Sequence, residues 1–300
     1  MPNSSRSFLP KAVRIVGFGL LALGTLSASG CAFHGSGPEK VDLNAWSFDR
    51  ELSAPGTITI RSMNGPIDVK PATGNTLQVT AETRWRRGDP KRDLHFTAES
   101  SGNDVLICAI WGRGTCSKES YKSDGHSVSF SSFFKKGTDA NVHFTVLVPA
   151  GLKVNIVNIN GGLTVTSSAP VYAHTINGNI KIGTAVGPVD AETVNGSVDV
   201  RMTTLGGDGA VRATTINGTA VAFLPALFDA DVNVETVNGS AASEFAFASG
   251  GEDGTSRHHL RGVLGAGGRA VRVTSVNGSA FLRRLNADGT VAAGDGAKKP

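Results

Sequence analysis

Charged residues at alternating positions are the candidates for chemistry in this sequence of 300 residues. Five of them fall on two neighbouring repeat segments: Asp190, Glu192, Asp199, Arg201 and Lys181. Acid–base cleavage of a glycosidic bond needs two carboxylates several ångströms apart beside a cleft. The set therefore predicts, as an alternative, a carbohydrate-active enzyme of the polysaccharide lyase or hydrolase type. The interpretation that we favour is that these are solvated charges on exposed strand faces.

No catalytic motif strengthens the enzyme alternative. The sequence has no GxSxG nucleophile elbow, no HExxH zinc motif and no GxxxxGK[ST] phosphate loop. A GxGxxA-like run from Gly265 to Ala270 precedes a strand pattern instead of opening a helix, so dinucleotide binding is not expected. A run at Gly206 begins like a calcium-binding nonapeptide, but Val211 stands where an aspartate is needed. We expect no catalytic residues, no cofactor and no metal.

The three cysteines fit an exported protein. Cys108 lies in a strand pattern and Cys116 lies just beyond a Gly-Arg-Gly turn, so a disulfide across that turn is expected in an oxidising compartment. A metal site on this pair is not expected, because no histidine lies at ligand spacing nearby. The third cysteine, Cys31, belongs to the leader.

Residues 1–30 have the pattern of a signal peptide. Basic residues precede an apolar run of twelve residues, Ile15 to Leu26, which is shorter than the roughly twenty residues of a membrane span. The run Ala28-Ser29-Gly30-Cys31 resembles a bacterial lipobox, in which the cysteine is acylated. An ordinary secretory signal cut near Ala28 to Ala32 is the alternative. Because the residue after the cysteine is not Asp, the sorting pattern predicts an outer-membrane lipoprotein that faces the periplasm or the cell surface.

The charge balance gives no support to a nucleic-acid partner. The chain has 29 basic and 25 acidic residues, a formal net charge of +4. Three basic residues and no acidic ones lie in the signal peptide, which leaves 26 minus 25, or +1, for the mature chain. A nearly neutral chain lacks the basic excess that phosphate binding uses. The expected partners are the membrane, through the lipid anchor, and an envelope protein or glycan as ligand.

A repeated tetrapeptide organises most of the chain. It consists of a small polar residue, then Ile, Val or Met, then Asn-Gly. The copies end at Asn64-Gly65, Asn160-Gly161, Asn177-Gly178, Asn195-Gly196, Asn217-Gly218, Asn238-Gly239 and Asn277-Gly278. The last six are spaced by 17, 18, 22, 21 and 39 residues, and the shorter steps match one coil of a β-solenoid.

Apolar residues alternate on both sides of each Asn-Gly. Val189 and Ala191 precede Asn195 with a period of two, and Val198 and Val200 follow it with the inward parity shifted by one residue. Period-two alternation is typical of a strand with one buried face. The recurring shift predicts a corner, where Asn tolerates the left-handed region and Gly supplies positive φ. Asn-Gly is also a strong hairpin signal, but hairpins need not repeat at a near-constant step.

These patterns predict an all-β parallel β-helix with coils of about 17–22 residues, in which Asn side chains and Thr or Ser hydroxyls form ladders spaced by about 4.8 Å. The predicted domains are a signal peptide (1–30), a flexible tether (31–42), a β-helix domain (43–285) with an irregular N-terminal part (43–152) and regular coils (153–285), and a disordered tail (286–300). The 39-residue step after Asn238 predicts an insertion or one irregular coil.

The irregular N-terminal part contains further strand patterns. They cover Leu77–Thr83, Leu94–Glu99, Asp104–Trp111 and Val142–Val148. Antiparallel pairing across the end of the helix is their expected use, since a solenoid needs an atypical terminal cap. The stretch from Gly112 to Ala140 is either a binding loop or a flap packed on the side of the helix.

Two longer stretches, together with the TVNG corner, resemble a known family. They are HFTVLVPAGLKVNIVNINGGLTV (His143–Val165) and HLRGVLGAGGRAVRVTSVNGSAFLRRL (His259–Leu285). They resemble the bacterial putative-adhesin β-helix family of exported or membrane-linked proteins, over about residues 43–285. The resemblance implies a right-handed, single-stranded parallel β-helix and brings no catalytic residues. It favours a non-catalytic, lipid-anchored interaction or structural module of the cell envelope, although "adhesin" in that family is an analogy of fold.

Overall fold

The computed structural model describes residues 38–42, 45–122, 138–184, 186–206, 209–248, 257–286 and 289–290. Within these ranges the chain is almost entirely β, apart from one short helical turn, α1 (Pro90–Asp93). No helix in this part of the chain is long and apolar enough to cross a membrane. The predicted signal peptide, Cys31 and the last ten residues of the tail lie outside the described residues.

The strands are short and regularly spaced. In chain order they are β1 (Lys40–Val41), β2 (Trp46–Glu51), β3 (Thr57–Arg61), β4 (Ile67–Pro71), β5 (Thr76–Trp85), β6 (Leu94–Ser101), β7 (Asp104–Trp111), β8 (Thr115–Cys116), β9 (Tyr121–Lys122), β10 (Asn141–Val148), β11 (Lys153–Val157), β12 (Leu163–Ser167), β13 (Val171–Asn177), β14 (Ile180–Thr184), β15 (Val189–Asn195), β16 (Val198–Arg201), β17 (Val211–Asn217), β18 (Ala220–Pro225), β19 (Ala230–Asn238), β20 (Ala241–Ser243), β21 (His259–Leu264), β22 (Ala270–Asn277) and β23 (Ala280–Leu285). They form two large sheets and the small hairpin β8–β9.

The two large sheets enclose one core. Sheet A has the order β1-β5-β10-β4-β12-β14-β16-β18-β23-β20, with β2 also on β5, and sheet B has the order β21-β19-β22-β17-β15-β13-β11-β3-β7-β6. Each Asn-Gly leads from a strand of sheet B to a strand of sheet A. The strands on either side of successive corners pair in parallel and in register, so that Asn177, Asn195 and Asn217 are Cα partners. The predicted all-β class and parallel sheets are therefore confirmed, with the pairing of a β-solenoid.

The C-terminal coils do not stack in chain order. Strand β22 pairs in parallel with β17 on one side and with β19 on the other. The coil β22–β23, which carries Asn277, therefore lies between the coils of Asn217 and Asn238. The 39-residue step after Asn238 predicts an insertion or one irregular coil. Instead, β21 pairs antiparallel with the free side of β19, and the chain then returns to the other side of β19 as β22.

The coils at the N-terminal end also stack out of chain order. Strand β7 pairs in parallel with β3, and β10 pairs in parallel with β4, so the first coil lies inside the stack. Antiparallel partners then close this end: β6 on β7 and β5 on β10. The expected antiparallel cap is thus provided by β5 and β6. Strands β7 and β10 differ from the expectation, because each also continues a parallel sheet and together they form one more coil.

Alternate side chains of both sheets fill the core. Inward residues of consecutive coils stack in columns, such as Ile180 on Val198 in sheet A, both fully buried. Phe144 closes the N-terminal end of the core and meets the ring of Phe96 edge to face, with the ring centroids 6.0 Å apart. Burial of such aliphatic columns is the main favourable contribution to folding.

The inward parity assigns different costs to neighbouring substitutions. We expect Val198→Asp to cost several kcal/mol of unfolding free energy, because it buries an unpaired charge between coils. Asp199→Ala should cost at most about 1 kcal/mol, since Asp199 is a partly exposed partner of Arg201. Asn195→Ala should fall between, at about 1–3 kcal/mol. Urea unfolding of the three variants measures these values, and equal small losses at positions 198 and 199 would contradict the parity.

Candidate functional site

The five residues considered for acid–base chemistry do not meet. Asp190 and Glu192 lie on β15 of sheet B, whereas Asp199 lies on β16 of sheet A. Their neighbours Val189, Ala191, Val198 and Val200 point into the shared core. The two groups of carboxylates therefore lie on opposite outer surfaces of the solenoid. Lys181 and Arg201 stand on the sheet A side, where Lys181 is the Cα partner of Asp199.

Arginines neutralise two of these carboxylates. Asp190 accepts a hydrogen bond from Nη1 of Arg212 at 3.2 Å, and Nε2 of His174 lies 3.9 Å from its other oxygen. Asp199 accepts two hydrogen bonds from Arg201, at 2.9 and 3.0 Å. The hydrogen bond from Arg201 to Asp199 raises the pKa of Arg201, partly opposed by burial. Both carboxylates are therefore already engaged by an arginine on their own outer surface.

The outward residues of sheet B form two rows, which we call outer face B. In-register pairing places the members of each row on consecutive strands, about 4.8 Å apart. One row contains Asn155, Tyr172, Asp190, Arg212 and Arg272, and the other contains Val157, His174, Glu192, Thr214 and Thr274. The face offers aromatic, cationic and hydrogen-bonding groups at a fixed repeat.

Hydrogen bonds close outer face B at its C-terminal end. Asn233 donates to a carboxylate oxygen of Glu235 at 3.2 Å, and Thr274 donates to the other oxygen at 3.3 Å. Nε2 of His259 lies 3.0 Å from the amide oxygen of Asn233. This network fixes the side chains of three adjacent strands.

Two shallow depressions lie near this end. One, of about 380 Å³, is lined by Asn233, Arg261 and Arg272 with Asp231 as its carboxylate. The other, of about 750 Å³, lies beside Phe228 and has Asp229 as its carboxylate. Within the described part of the chain, each depression is lined by a single carboxylate, where glycoside cleavage uses two. Among the described residues, no group of three or more His, Cys, Asp or Glu side chains is arranged to hold a metal.

The Asn side chains of the corners form a hydrogen-bonded ladder. Five of the amides donate from Nδ2 to Oδ1 of the preceding coil in the stack. The bonds are Asn177 to Asn160 (2.7 Å), Asn195 to Asn177 (2.8 Å), Asn217 to Asn195 (2.7 Å), Asn277 to Asn217 (2.8 Å) and Asn238 to Asn277 (2.9 Å). Asn64 departs from the pattern, because its amide donates to the carbonyl of Ala140 at 2.8 Å. The ladder follows the exchanged order of the coils.

The glycine and the small polar residue of each tetrapeptide also bond to neighbouring coils. The Gly196 N–H donates to the Asn217 carbonyl at 3.0 Å. The Thr215 hydroxyl donates to the Gly196 carbonyl at 2.7 Å, and Ser275 repeats this bond to Gly218 at 2.9 Å. Gly218 has φ +153°, and a Cβ there would overlap the Gly196 carbonyl oxygen. Glycine is needed because consecutive corners approach so closely.

A partly exposed apolar ladder runs beside the Asn ladder. It consists of the residue before each corner Asn, in stack order Met63, Ile159, Ile176, Val194, Ile216, Val276 and Val237. Ile176 is 44% exposed and Val237 is 64% exposed. The repeated tetrapeptide predicts these residue types but does not by itself place them on the surface. Their parity, one residue away from the buried Thr or Ser, was the signal that could have done so.

The described part of the 112–140 stretch is a flap on sheet B. Cys108 and Cys116 are joined by a disulfide with their Cα atoms 6.4 Å apart. Hairpin β8–β9 covers the outward side of β7, where Cys116 packs on Leu106, Cys108 and Ile110. The Tyr121 hydroxyl donates to the Ala109 carbonyl at 2.6 Å. Residues 112–122 thus form a flap packed on the side of the helix, as in the second of the two alternatives. Residues 123–137 lie outside the described part of the chain.

An ion pair holds the flap to β7, and a hydrogen bond holds it to β3 of the first coil. Lys118 donates to Asp104 at 3.0 Å, and Asp104 also accepts the Thr57 N–H at 2.9 Å. The hydrogen bond from Lys118 is the main cause that lowers the pKa of Asp104. Desolvation opposes this shift, and the hydrogen bond from the Thr57 N–H adds to it. Arg61 donates to the Lys118 carbonyl beneath the flap. Burial lowers the pKa of Arg61, opposed by the charge of Glu119.

Comparison with known proteins gives similarity of fold only. No protein-family model and no curated protein match the chain. A solved putative cell adhesion protein from Clostridium sporogenes is similar at 8% identity over 80% of this chain and 98% of that chain, with a TM-score of 0.42. A putative adhesin from Bacteroides fragilis is similar at 10% identity over 81% and 98%, with a TM-score of 0.32. A putative adhesin from Parabacteroides distasonis is similar at 9% identity over 81% of this chain and 98% of that chain, with a TM-score of 0.23.

Proposed function

We propose that this chain is an exported, lipid-anchored cell-envelope protein that acts as a non-catalytic, adhesin-like interaction module. The observation that carries the proposal is outer face B, where in-register strands hold two rows of outward side chains at a fixed repeat. We also infer right-handed winding, the hand of nearly all parallel crossover connections.

Outer face B suits binding for two physical reasons. Its exposed groups include Tyr172, Arg212 and Arg272, and tyrosine and arginine are enriched among the residues that dominate interface energies. Its strands are hydrogen-bonded on both sides, so binding would order little additional backbone and would cost little conformational entropy. A partner with groups that repeat along an extended chain, such as an envelope glycan or an extended protein segment, matches this arrangement.

Asp190 and Glu192 share outer face B, but neither residue lines the described depressions, which supports the non-catalytic part of the proposal. Asp190 and Asp199 lie on opposite outer surfaces, and each has an arginine partner. Two carboxylates flanking one bond are required for glycoside cleavage by acid and base, and neither depression offers such a pair.

Binding through outer face B can be tested with labelled protein and fractionated envelope components, namely peptidoglycan, outer-membrane glycolipid and membrane protein. Tyr172→Ala should weaken binding to the retained fraction by about tenfold, because an aromatic anchor contributes on the order of 1–2 kcal/mol. Lys181→Ala, on the opposite outer surface, is the matched control and should bind like the wild type. Equal weakening by both variants would contradict the assignment of the face, and release of new sugar ends from a bound glycan would contradict a non-catalytic role.

The lipid anchor gives a separate prediction. Attachment of more than one acyl chain at Cys31 would hold the module stably at a membrane, since each buried methylene contributes about 0.8 kcal/mol. Cys31→Ser, or inhibition of the lipoprotein signal peptidase, should therefore leave an unprocessed precursor or release soluble protein. Phase separation in detergent and immunoblotting measure this. Normal partitioning of the Cys31→Ser variant into the detergent phase would contradict acylation.

A further inference from the structure

We propose that Asn238-Gly239 is a site of spontaneous covalent modification, at which Asn238 is converted through a cyclic imide to aspartate and isoaspartate. The structure protects the other six Asn-Gly corners from the same reaction. Asn-Gly is the sequence in which this chemistry meets least hindrance, because glycine has no side chain to obstruct attack by its backbone nitrogen.

The reaction needs only water. The backbone nitrogen of Gly239 loses its proton to hydroxide and attacks Cγ of Asn238. A C–N bond forms, the Cγ–Nδ2 bond breaks, and Nδ2 leaves as ammonia. Water then opens the five-membered imide at either carbonyl, which yields aspartate or isoaspartate. The step therefore requires a glycine N–H that solvent can deprotonate and an asparagine amide that is free to turn towards it.

Six corners fail the first requirement. In each of them the glycine N–H donates to the Asn carbonyl of the next coil in the stack. The bonds are Gly65 to Asn160 (2.7 Å), Gly161 to Asn177 (2.8 Å), Gly178 to Asn195 (2.9 Å), Gly196 to Asn217 (3.0 Å), Gly218 to Asn277 (3.0 Å) and Gly278 to Asn238 (2.8 Å). A bonded N–H inside a stack of strands reaches solvent only when the structure opens locally.

The Asn238 corner is the last Asn-Gly corner in the stack. Within the described part of the chain, no carbonyl accepts the Gly239 N–H, and no amide donates to Oδ1 of Asn238. Asn238, Gly239 and Ser240 are all exposed, whereas Gly218 and Gly278 are half-buried. The chain before β21 bonds on either side of the corner, where the Thr236 N–H donates to the His258 carbonyl at 2.8 Å and the Ala241 N–H donates to the Arg257 carbonyl at 2.9 Å, but neither bond involves Gly239.

The chain supplies an internal control of identical local sequence. Asn195 and Asn238 both lie in TVNGS, at 193–197 and at 236–240. Their intrinsic reactivity is therefore the same, and only the fold distinguishes them. Asn195 donates to Asn177 and accepts from Asn217, and its Gly196 N–H is bonded. Of these three bonds, the described part of the chain retains at the Asn238 corner the side-chain bond that Asn238 donates to Asn277.

Modification would alter the end of the stack. A carboxylate at position 238 cannot donate to Oδ1 of Asn277, so the last rung of the Asn ladder is lost. An isoaspartate lengthens the backbone by one methylene at the residue whose carbonyl accepts the Gly278 N–H. The next corner would then be less protected, and modification would proceed inward from this end.

The test is a time course on the purified, folded mature chain in mildly alkaline buffer, with peptide mapping by mass spectrometry. Asn238 should react at least about tenfold faster than Asn195, since only Asn195 requires local opening. In denaturant the two rates should converge. The folded variant Asn238→Gln should lose the fast reaction, and Asn195→Gln should keep it. Equal rates at Asn195 and Asn238 in the folded protein, or a faster reaction at Asn195, would overturn the proposal.

Discussion

The hydrogen-bonded contact between consecutive Asn-Gly corners is the interaction on which the structure depends. At each internal corner the glycine N–H, the glycine carbonyl and the Asn amide all bond to a neighbouring coil. Such a contact is possible only without a Cβ on the glycine, because Gly196 and Gly218 approach too closely. Three bonds of about 1 kcal/mol each fix the register of both sheets at once. The alignment of outer face B, the apolar ladder and the core columns all follow from that register.

The exchanged order of the terminal coils changes which strands lie at the two ends of the stack. A stack of parallel strands leaves an unpaired edge at each end, and such edges invite association with other chains. Here the first and last coils of the chain lie inside the stack, and antiparallel strands cover the outermost ones in sheet B, β6 on β7 and β21 on β19. The same exchange leaves the corner of Asn238, and not that of Asn277, at the exposed end. The exposure of a corner therefore depends on its position in the stack and not on its position along the chain.

The sequence predicts the strands and the corner within one coil. It does not predict which distant strands pair with each other. The period-two pattern around Asn195 predicts the strands, and the parity shift predicts the corner. Pairing of β22 with β17 and β19 could not be predicted, because the inward residues Val211, Val232 and Val271 are interchangeable in the stack. The charged set at Asp190 and Asp199 looked like one cluster, since a corner reverses the chain between them. Only the two-sheet arrangement shows that they lie on opposite surfaces.

Crosslinking across sheet A tests the order of the coils most directly. In the structure Val221 and Phe281 are Cα partners on adjacent strands, and Ala242 lies beyond Phe281. Cysteines at Val221 and Phe281 lie about one strand spacing apart, within the span of a disulfide, whereas Val221 and Ala242 are about two spacings apart. In a chain lacking its leader and Cys31, Val221→Cys with Phe281→Cys should oxidise readily, and Val221→Cys with Ala242→Cys should not. Rapid oxidation of the second pair instead of the first would show that the coils stack in chain order and would contradict this account.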